Sequence, residues 1–273
     1  LQPGARVATA RVWWLQADSQ HPGGRYDGYN CTFPAMIADW RLKWHSATGG
    51  QTEALFPFGF VQLDSIGNGP VYNHPKDPMD PFSPAFGYAG LRWSQSAGFG
   101  HVPNPRMPAV FSAISLDTPD GPPSFNVHSP FKQPSAARLA RSGLVVAYGI
   151  DVDQLGGTVG PLPGHATRLG QQSLLIDITE VGGGSGVVLH STTGFEVLVE
   201  GHWVSVAALR HARGVVKLSG VSAGASKVRY AWYSNPCGES CFQCAVYVGV
   251  APLPGALSGE ESFLPLPPFV MDL

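Results

Sequence analysis

A histidine in a polar loop, His128, is the residue of this sequence that is best placed to do chemistry. It lies in the stretch SFNVHSPFKQ at 124–133, between an apolar run at 109–116 and a helical pattern at 136–148. A strand, a loop and a helix in that order bring the loop to the carboxyl edge of an α/β sheet, where catalytic groups are often held. We therefore interpret His128 as a general base, and a solvated loop histidine is the simpler alternative.

A carboxylate near the start of the chain is the candidate partner of this histidine. The stretch WLQADSQ at 14–20 follows a predicted buried strand at 8–15, so it should reach the same sheet edge. Asp18 there could orient a histidine and stabilise its charged form, as the acid of a Ser-His-acid triad does. The alternative is that Asp18 and Ser19 cap a turn.

A third polar group comes from the stretch GLRWSQ at 90–95. Arg92 and Gln95 could bind a polar substrate, and Trp93 could stack on the face of a sugar. The two polar side chains could equally brace the long Gly- and Pro-rich stretch at 64–90. Both interpretations stay open at the level of the sequence.

Composition excludes several classes of function. The chain has 273 residues, of which 44% are hydrophobic and 13% charged, and its formal net charge is −2. Such a chain has no basic stripe for nucleic acid, and no apolar run approaches the ~18 residues of a spanning helix. We expect neither a nucleic-acid nor a membrane partner.

The cysteines and one sequon bear on the compartment. Cys31 stands alone, whereas Cys237, Cys241 and Cys244 form an irregularly spaced cluster. A closed zinc site would need a fourth, distant ligand, so disulfides are favoured, free thiols remain open and no metal is assigned. Asn30 begins the sequon Asn-Cys-Thr, and sequon and cysteines together favour a lysosomal or secreted glycoprotein.

Periodicity divides the chain into two regions. Apolar residues at three- and four-residue steps predict a helix at 29–43, with Thr32 as its N-cap, and an apolar run predicts a strand at 56–63. After residue 149 short β-type segments alternate with glycine turns, which is typical of a β-sandwich. We predict an α/β region over 1–155 and a β-rich region over 156–273. The predicted β segments are 173–178, 186–189, 195–199, 203–209, 215–218 and 227–232.

Five blocks in order resemble the sialate O-acetylesterases, which are SGNH-type hydrolases. The resemblance implies a flavodoxin-like α/β/α core, incomplete at its N-terminus, followed by a β-sandwich-like region. It also implies removal of O-acetyl groups from sialic acids or sialoglycans without a cofactor. The blocks are YNCTFPAMIADWR at 29–41, FPFGFVQL at 56–63, RWSQ at 92–95, VPNPRMP at 102–108 and RYAW at 229–232.

The resemblance also assigns roles to individual positions. His128 corresponds to the family's general base, and Asp18 to the Glu that partners it in related acetylesterases. Gln16 belongs to the same block and is carried over as a substrate-binding residue. Asp18 is one methylene shorter than Glu, and Ser129 replaces the family's proline after the histidine, so this part of the match is looser than its neighbours.

One family motif is missing from the sequence. The nucleophilic serine of the family lies in a Gly-Gln-Ser-Asn motif, which does not occur here. We therefore expect the serine on an N-terminal segment outside these 273 residues, and we expect the isolated chain to be inactive. The alternatives are a non-catalytic carbohydrate-binding protein and an acetylesterase for other acetylated sugars. The sequence does not fix the acetyl position, the disulfide pairing or the oligomeric state.

Overall fold

The structure is a computed structural model that describes residues 28–66, 87–121, 127–155, 160–180, 186–249 and 263–273. The predicted strand at 8–15 lies outside these residues. The helices are α1 Tyr29–Ala47, α2 Gly87–Ser94, α3 Lys132–Tyr148 and a 3₁₀ turn at Val152–Leu155. The strands are β1 Phe58–Val61, β2 Val110–Ala113, β3 Pro161–Arg168, β4 Ser173–Glu180, β5 Val187–Leu189, β6 Phe195–Val199, β7 His202–Ala212, β8 Val215–Ser219, β9 Lys227–Tyr230, β10 Val246–Gly249, β11 Phe263–Pro265 and β12 Phe269–Asp272.

Helix α1 confirms the helix predicted at 29–43 from the apolar spacing, and it continues to Ala47. Phe33 and Ile37 are buried on its inner face, as the three- and four-residue steps require. The N-cap is Gly28, not Thr32, and no side chain caps the helix. The prediction of Thr32 as N-cap was wrong, because the helix already begins at Tyr29, whose ring stacks on Phe33 with ring centroids 5.1 Å apart.

The first region is built in three layers around two parallel strands. β1 pairs with β2, so that Phe58 faces Val110 and Val61 faces Ala113 in register. One face of this pair packs against α1, and the other packs against Leu139 of α3. This arrangement of helices on both faces is that of an α/β/α layer structure. A complete flavodoxin-like sheet stays a prediction, because the described residues contribute two strands to it.

The face under α3 is closely packed around one aromatic ring. A Cβ at Gly59 of β1 would lie 2.4 Å from Cε2 of Phe111, and one at Gly143 of α3 would lie 3.1 Å from the same atom. The ring of Phe111 therefore fills the space that side chains at both glycines would need. This close approach sets how near α3 can come to the sheet.

The second region is rich in antiparallel sheet. A seven-stranded sheet has the order β12-β9-β6-β7-β8-β4-β3, and a three-stranded sheet has the order β11-β10-β5. Residues of both sheets share one hydrophobic core, which includes Phe195, Val216 and Val246. The edge strands β3 and β12 contact each other, so the larger sheet is nearly closed into a barrel. The six β segments predicted from the sequence are confirmed as β4 to β9.

Four strands were not predicted. β3 begins with Pro161 and contains Pro163 and Gly164, and its register shifts between Pro163 and Ala166. Proline is confined to edge strands and bulges, and β3 is an edge strand with such an irregularity. β10 lies just after the cysteine cluster, and β11 and β12 lie in the Pro-rich C-terminal segment. Proline obscures the pattern in and around β3, β11 and β12, whereas β10 reads Val-Tyr-Val-Gly and was missed despite its β-type composition.

The secondary structure changes from mixed helix and strand to strand near residue 155, where we predict the boundary between the two regions. Among the described residues, helices α1 to α3 precede it, and β3 to β12 follow it. The exact boundary stays a prediction, since 156–159 lie outside the described residues. Among the helices that the structure describes, none is both long enough and apolar enough to cross a bilayer.

Candidate active site

The segments that follow β1 and β2 are fastened together at the carboxyl edge of the sheet. The hydroxyl of Ser115 donates to the carbonyl oxygen of Gln62 at 2.7 Å, and that of Ser65 donates to the carbonyl oxygen of Leu116 at 2.6 Å. Both serines are buried, so these hydrogen bonds satisfy main-chain groups that water does not reach. The edge is thus a fixed platform for the loops above it.

Asp64 is a buried carboxyl group on this platform. Its Oδ1 accepts a hydrogen bond from the main-chain N–H of Ser65 at 2.8 Å, and the hydroxyl of Thr118 lies 3.4 Å from its Oδ2. Burial raises the pKa of Asp64 well above its usual value, against the opposing effects of the Ser65 N–H, Arg92 and Lys132. A carboxyl group that is disfavoured as an anion at a sheet edge is a candidate functional group.

His128 is held with its imidazole outward. Val127 before it and Ser129 after it are 2% and 1% exposed, whereas His128 itself is exposed. Val127 packs with Leu63 and Leu91, and the hydroxyl of Ser129 accepts the N–H of Phe131 at 3.1 Å. The loop is therefore held in place on both sides of the histidine, by packing of Val127 and by the hydrogen bond to Ser129. Ser129, which departs from the family's proline, takes a structural part here.

Lys132, the first residue of α3, lies beside the same platform. Burial lowers the pKa of its ammonium group, and the nearby carboxyl groups of Asp64 and Asp120 act in the opposite direction. Three chain segments therefore meet here: the one after β1, the one after β2 and the start of α3. His128 lies four residues before Lys132 in the sequence, and its neighbour Val127 packs with Leu63 at the same sheet edge.

A buried ion pair supports the loop between β2 and His128. Arg138 of α3 binds Asp117 through both terminal nitrogens, at 2.6 and 2.8 Å, and both residues are buried. The hydroxyl of Tyr247 in β10 donates to Oδ2 of Asp117 at 3.1 Å. The main-chain N–H of Phe242 donates to the carbonyl oxygen of Asp117 at 2.7 Å. The β-rich region thus helps to fix the segment that leads to His128.

Arg92 and Gln95 contact the main chain. Arg92 is 0% exposed and donates to the carbonyl oxygens of Leu63, Asp64, Tyr233 and Ser234 at 2.7–2.9 Å. Oε1 of Gln95 accepts the N–H of Leu63 at 2.9 Å. Arg92 and Gln95 thus contact the main chain at the start of the stretch 64–90, of which 67–86 lie outside the described residues. Bracing of that stretch and substrate binding both stay predictions.

The remaining predicted positions are placed unevenly. Asp18 and Gln16 lie outside the described residues, so the acid partner of His128 stays a prediction. Asn30 lies in the first turn of α1, where its Oδ1 is 3.5 Å from Nη1 of Arg106, and its glycosylation stays a prediction. A disulfide joins Cys237 to Cys244.

We searched the described residues for side chains that could ligate a metal. No group of three or more His, Cys, Asp or Glu side chains there could hold a metal ion. The polar groups at the sheet edge can exchange protons and carry charge.

Sequence reasoning missed Asp64 and Lys132 as parts of this cluster. A signal for Asp64 was present, because it follows the predicted strand at 56–63 and the ends of such strands carry site residues. Lys132 gave no comparable signal, since it falls at the start of a helix that was predicted to begin four residues later.

Comparison with known proteins finds similar sequences and one similar fold. No family model matches the chain. Curated proteins named sialate O-acetylesterase match it from mouse, with 32% identity over 100% of the chain, and from rat, with 33% over 98%. The human protein of that name is 37% identical over 64% of the chain. A crystal structure of a carbohydrate acetylesterase from Xanthomonas citri shares the fold, with a TM-score of 0.62 and 23% identity over 90% of this chain and 46% of that one.

The matches cover most or all of this chain but only part of each relative. The chain spans 46% of the mouse protein and 45% of the rat protein, slightly less than half of each, and 31% of the human one. The blocks that carry the sequence resemblance overlap α1, β1, α2 and β9 or precede β2, and these elements build and brace the sheet edge. Along its whole length, this chain is homologous to the sialate O-acetylesterases.

Proposed function

We propose that this chain forms the histidine-bearing part of an esterase that removes O-acetyl groups from sugars, with sialic acids as the substrate class. The observation that carries the proposal is the exposed imidazole of His128, fixed between buried Val127 and Ser129 at the carboxyl edge of the sheet. The homology to sialate O-acetylesterases supports the ester chemistry and the sugar substrate.

In the proposed mechanism His128 moves a single proton. It takes the proton from a serine hydroxyl that attacks the acetyl carbonyl, and then delivers it to the departing sugar oxygen. A water attacks the acyl-enzyme by the same route and releases acetate. The serine belongs to no motif in these 273 residues, and Asp18 is the proposed acid that orients the imidazole.

The test compares the chain alone with the chain fused to the part of the mouse relative that it does not span. Acetate release from O-acetylated sialic acid is measured for both. We expect turnover by the fusion and none by the chain alone. His128→Ala in the fusion should lower the rate by roughly 10²–10⁴-fold, which is the usual contribution of a general base.

A matched control uses Lys43→Ala on the exposed face of α1, which should leave the rate unchanged. An unaltered rate in the His128→Ala fusion would refute the role of the histidine. A fusion that folds and binds sialoglycans without turnover would favour the non-catalytic carbohydrate-binding alternative. Faster release of acetate from acetylated xylan than from sialic acid would favour the other acetylated sugars.

A lysosomal or secreted location is part of the proposal. The disulfide between Cys237 and Cys244 is of a kind that persists in oxidising compartments, and the sequon at Asn30 supports the same route. To test this location, the chain is expressed in a secretory host and digested with an N-glycosidase. We expect its apparent mass to fall. An unchanged mass would count against glycosylation at Asn30.

A further inference from the structure

A cleft of about 270 Å³ runs beside helix α1, next to the segments that precede β1 and β2. We call it the α1 cleft. It lies at the amino edge of these two strands, whereas His128 lies at their carboxyl edge. Its volume is slightly below the usual range of small-molecule sites, so a ligand there must be small. The apolar lining includes Pro34, Ile37, Leu42, Leu55, Met107 and Pro108.

Arg41 of α1 lines this cleft and is 5% exposed. Its Nε donates to the carbonyl oxygen of Phe56 at 3.1 Å, and its terminal nitrogens donate to those of Pro108 and Ala109 at 2.8 and 3.2 Å. Pro108 is itself a lining residue, so the guanidinium contacts the wall of the cleft. Three of the five N–H groups of the guanidinium are used in this way, and two remain.

The charge of Arg41 has no carboxylate partner among the described residues. Burial lowers the pKa of its guanidinium, and no described carboxyl group acts to raise it. The buried guanidinium groups of Arg138 and Arg229, in contrast, bind carboxylates at 2.6 and 2.7 Å. Because a buried charge is costly unless it is paired, Arg41 indicates a place for an anion.

The other ionisable side chains along the cleft are also basic. They are His45 of α1 and the exposed Arg106, which contacts Oδ1 of Asn30 at 3.5 Å. No acidic residue is among the described lining residues. The acidic residue of α1, Asp39, pairs with exposed Lys43. The charges that line the cleft therefore favour an anionic ligand.

The rim of the cleft decides what kind of anion fits. Leu42 and Leu55 both line it, and they are 66% and 54% exposed. An inorganic anion would leave these two side chains in water, and an uncharged molecule would leave Arg41 without a counter-ion. A carboxylate on an apolar body pairs the charge and also covers the leucines.

We propose that the α1 cleft binds a small monocarboxylate with an apolar body, whose carboxylate accepts the remaining N–H groups of Arg41. Arg106 adds positive charge at the rim, and the apolar body covers Leu42 and Leu55. Neither His128 nor Asp64 is among the described lining residues, so this site goes beyond the proposed ester hydrolysis.

The test uses octanoate, with octanamide and octylammonium as matched probes. Octanamide keeps the alkyl chain and removes the charge, and octylammonium reverses the charge. The protein is labelled with ¹³C in its methionine methyl groups, and the resonance of Met107, a buried lining residue, reports binding. We expect octanoate to shift this resonance with a dissociation constant at least about tenfold below that of octanamide, and octylammonium to bind most weakly.

Two variants at exposed leucines test the location. Leu42→Asp places a negative charge on the cleft and should weaken octanoate about fivefold or more. Leu169→Asp is the matched control, since Leu169 is exposed and is not among the described lining residues. It should leave the dissociation constant unchanged.

Two further variants test the cationic groups. Arg41→Gln should bring the dissociation constant of octanoate close to that of octanamide. Because Arg41 also binds three carbonyl oxygens, Arg106→Gln at the exposed rim serves as a second variant, and it should weaken octanoate but not octanamide.

Three results would overturn the proposal. The first is a Met107 resonance that octanoate leaves unshifted up to the concentration at which octanoate forms micelles. The second is equal affinity for octanoate and octanamide, since the cleft would then select the apolar body alone. The third is octanoate binding that Leu42→Asp leaves unchanged.

Discussion

Arg92 joins the two regions of the chain, and its replacement should be severely destabilising. Its guanidinium donates to carbonyl oxygens of Leu63 and Asp64 after β1, and to those of Tyr233 and Ser234 after β9. The side chain is wholly buried, and burial lowers its pKa to about 10 although nearby Asp64 opposes this. A buried cation is tolerated here because its donors satisfy main-chain groups of both regions.

The magnitude follows from these contacts. Arg92→Met keeps the length of the side chain and removes this donor from four carbonyl oxygens, of which that of Ser234 still accepts the N–H of Ile66. Each buried carbonyl that is left unsatisfied costs about 1–3 kcal/mol. Removing the buried charge recovers several kcal/mol of desolvation, so we expect a net loss of about 3–5 kcal/mol. Arg92→Lys keeps the charge but loses the planar fork, and we expect it to cost at least about 2 kcal/mol.

Urea unfolding followed by tryptophan fluorescence and circular dichroism measures both variants. Losses of this size are a large fraction of the ~5–15 kcal/mol that a typical domain has. Lys43→Met is the matched control, since Lys43 pairs with Asp39 on the surface and should contribute less than about 1 kcal/mol. The reasoning about the planar guanidinium fails if the free energy of unfolding of Arg92→Lys lies within about 1 kcal/mol of that of the parent chain, as is expected for the control.

Two further predictions concern the sheet edge and the face below α3. Because burial raises the pKa of Asp64 in the folded state, its contribution to stability is present below the ordinary pKa of about 4 and is lost as pH rises towards the raised value. Asp64→Asn should therefore gain stability over the parent between pH 4 and pH 8 in urea titrations, and parallel pH profiles would contradict this. Gly59→Ala should cost about 1–3 kcal/mol, because its methyl group meets the ring of Phe111. Adding Phe111→Leu to Gly59→Ala should recover part of that loss, and additive losses in thermal unfolding would argue against the steric cause.

Apolar periodicity and composition predicted the helices and strands whose pattern is carried by neighbouring residues. The apolar steps around Phe33 and Ile37 predicted α1, and the alternation after residue 149 predicted β4 to β9. These signals are carried by neighbouring residues, so they survive without knowledge of the fold. Where proline and glycine interrupt the pattern, as at Pro163 in β3, the pairing of distant strands decided the structure.

The sequence by itself determined the position of His128 after a strand and before a helix, and the family resemblance that gives it a role. Only the tertiary structure decided that Arg92 donates to main-chain carbonyls, that Asp64 is buried, and that Arg138 pairs with Asp117. The first kind of information depends on short-range spacing along the chain. The second depends on burial and on contacts between segments as far apart as Arg92 and Ser234, which no local pattern encodes.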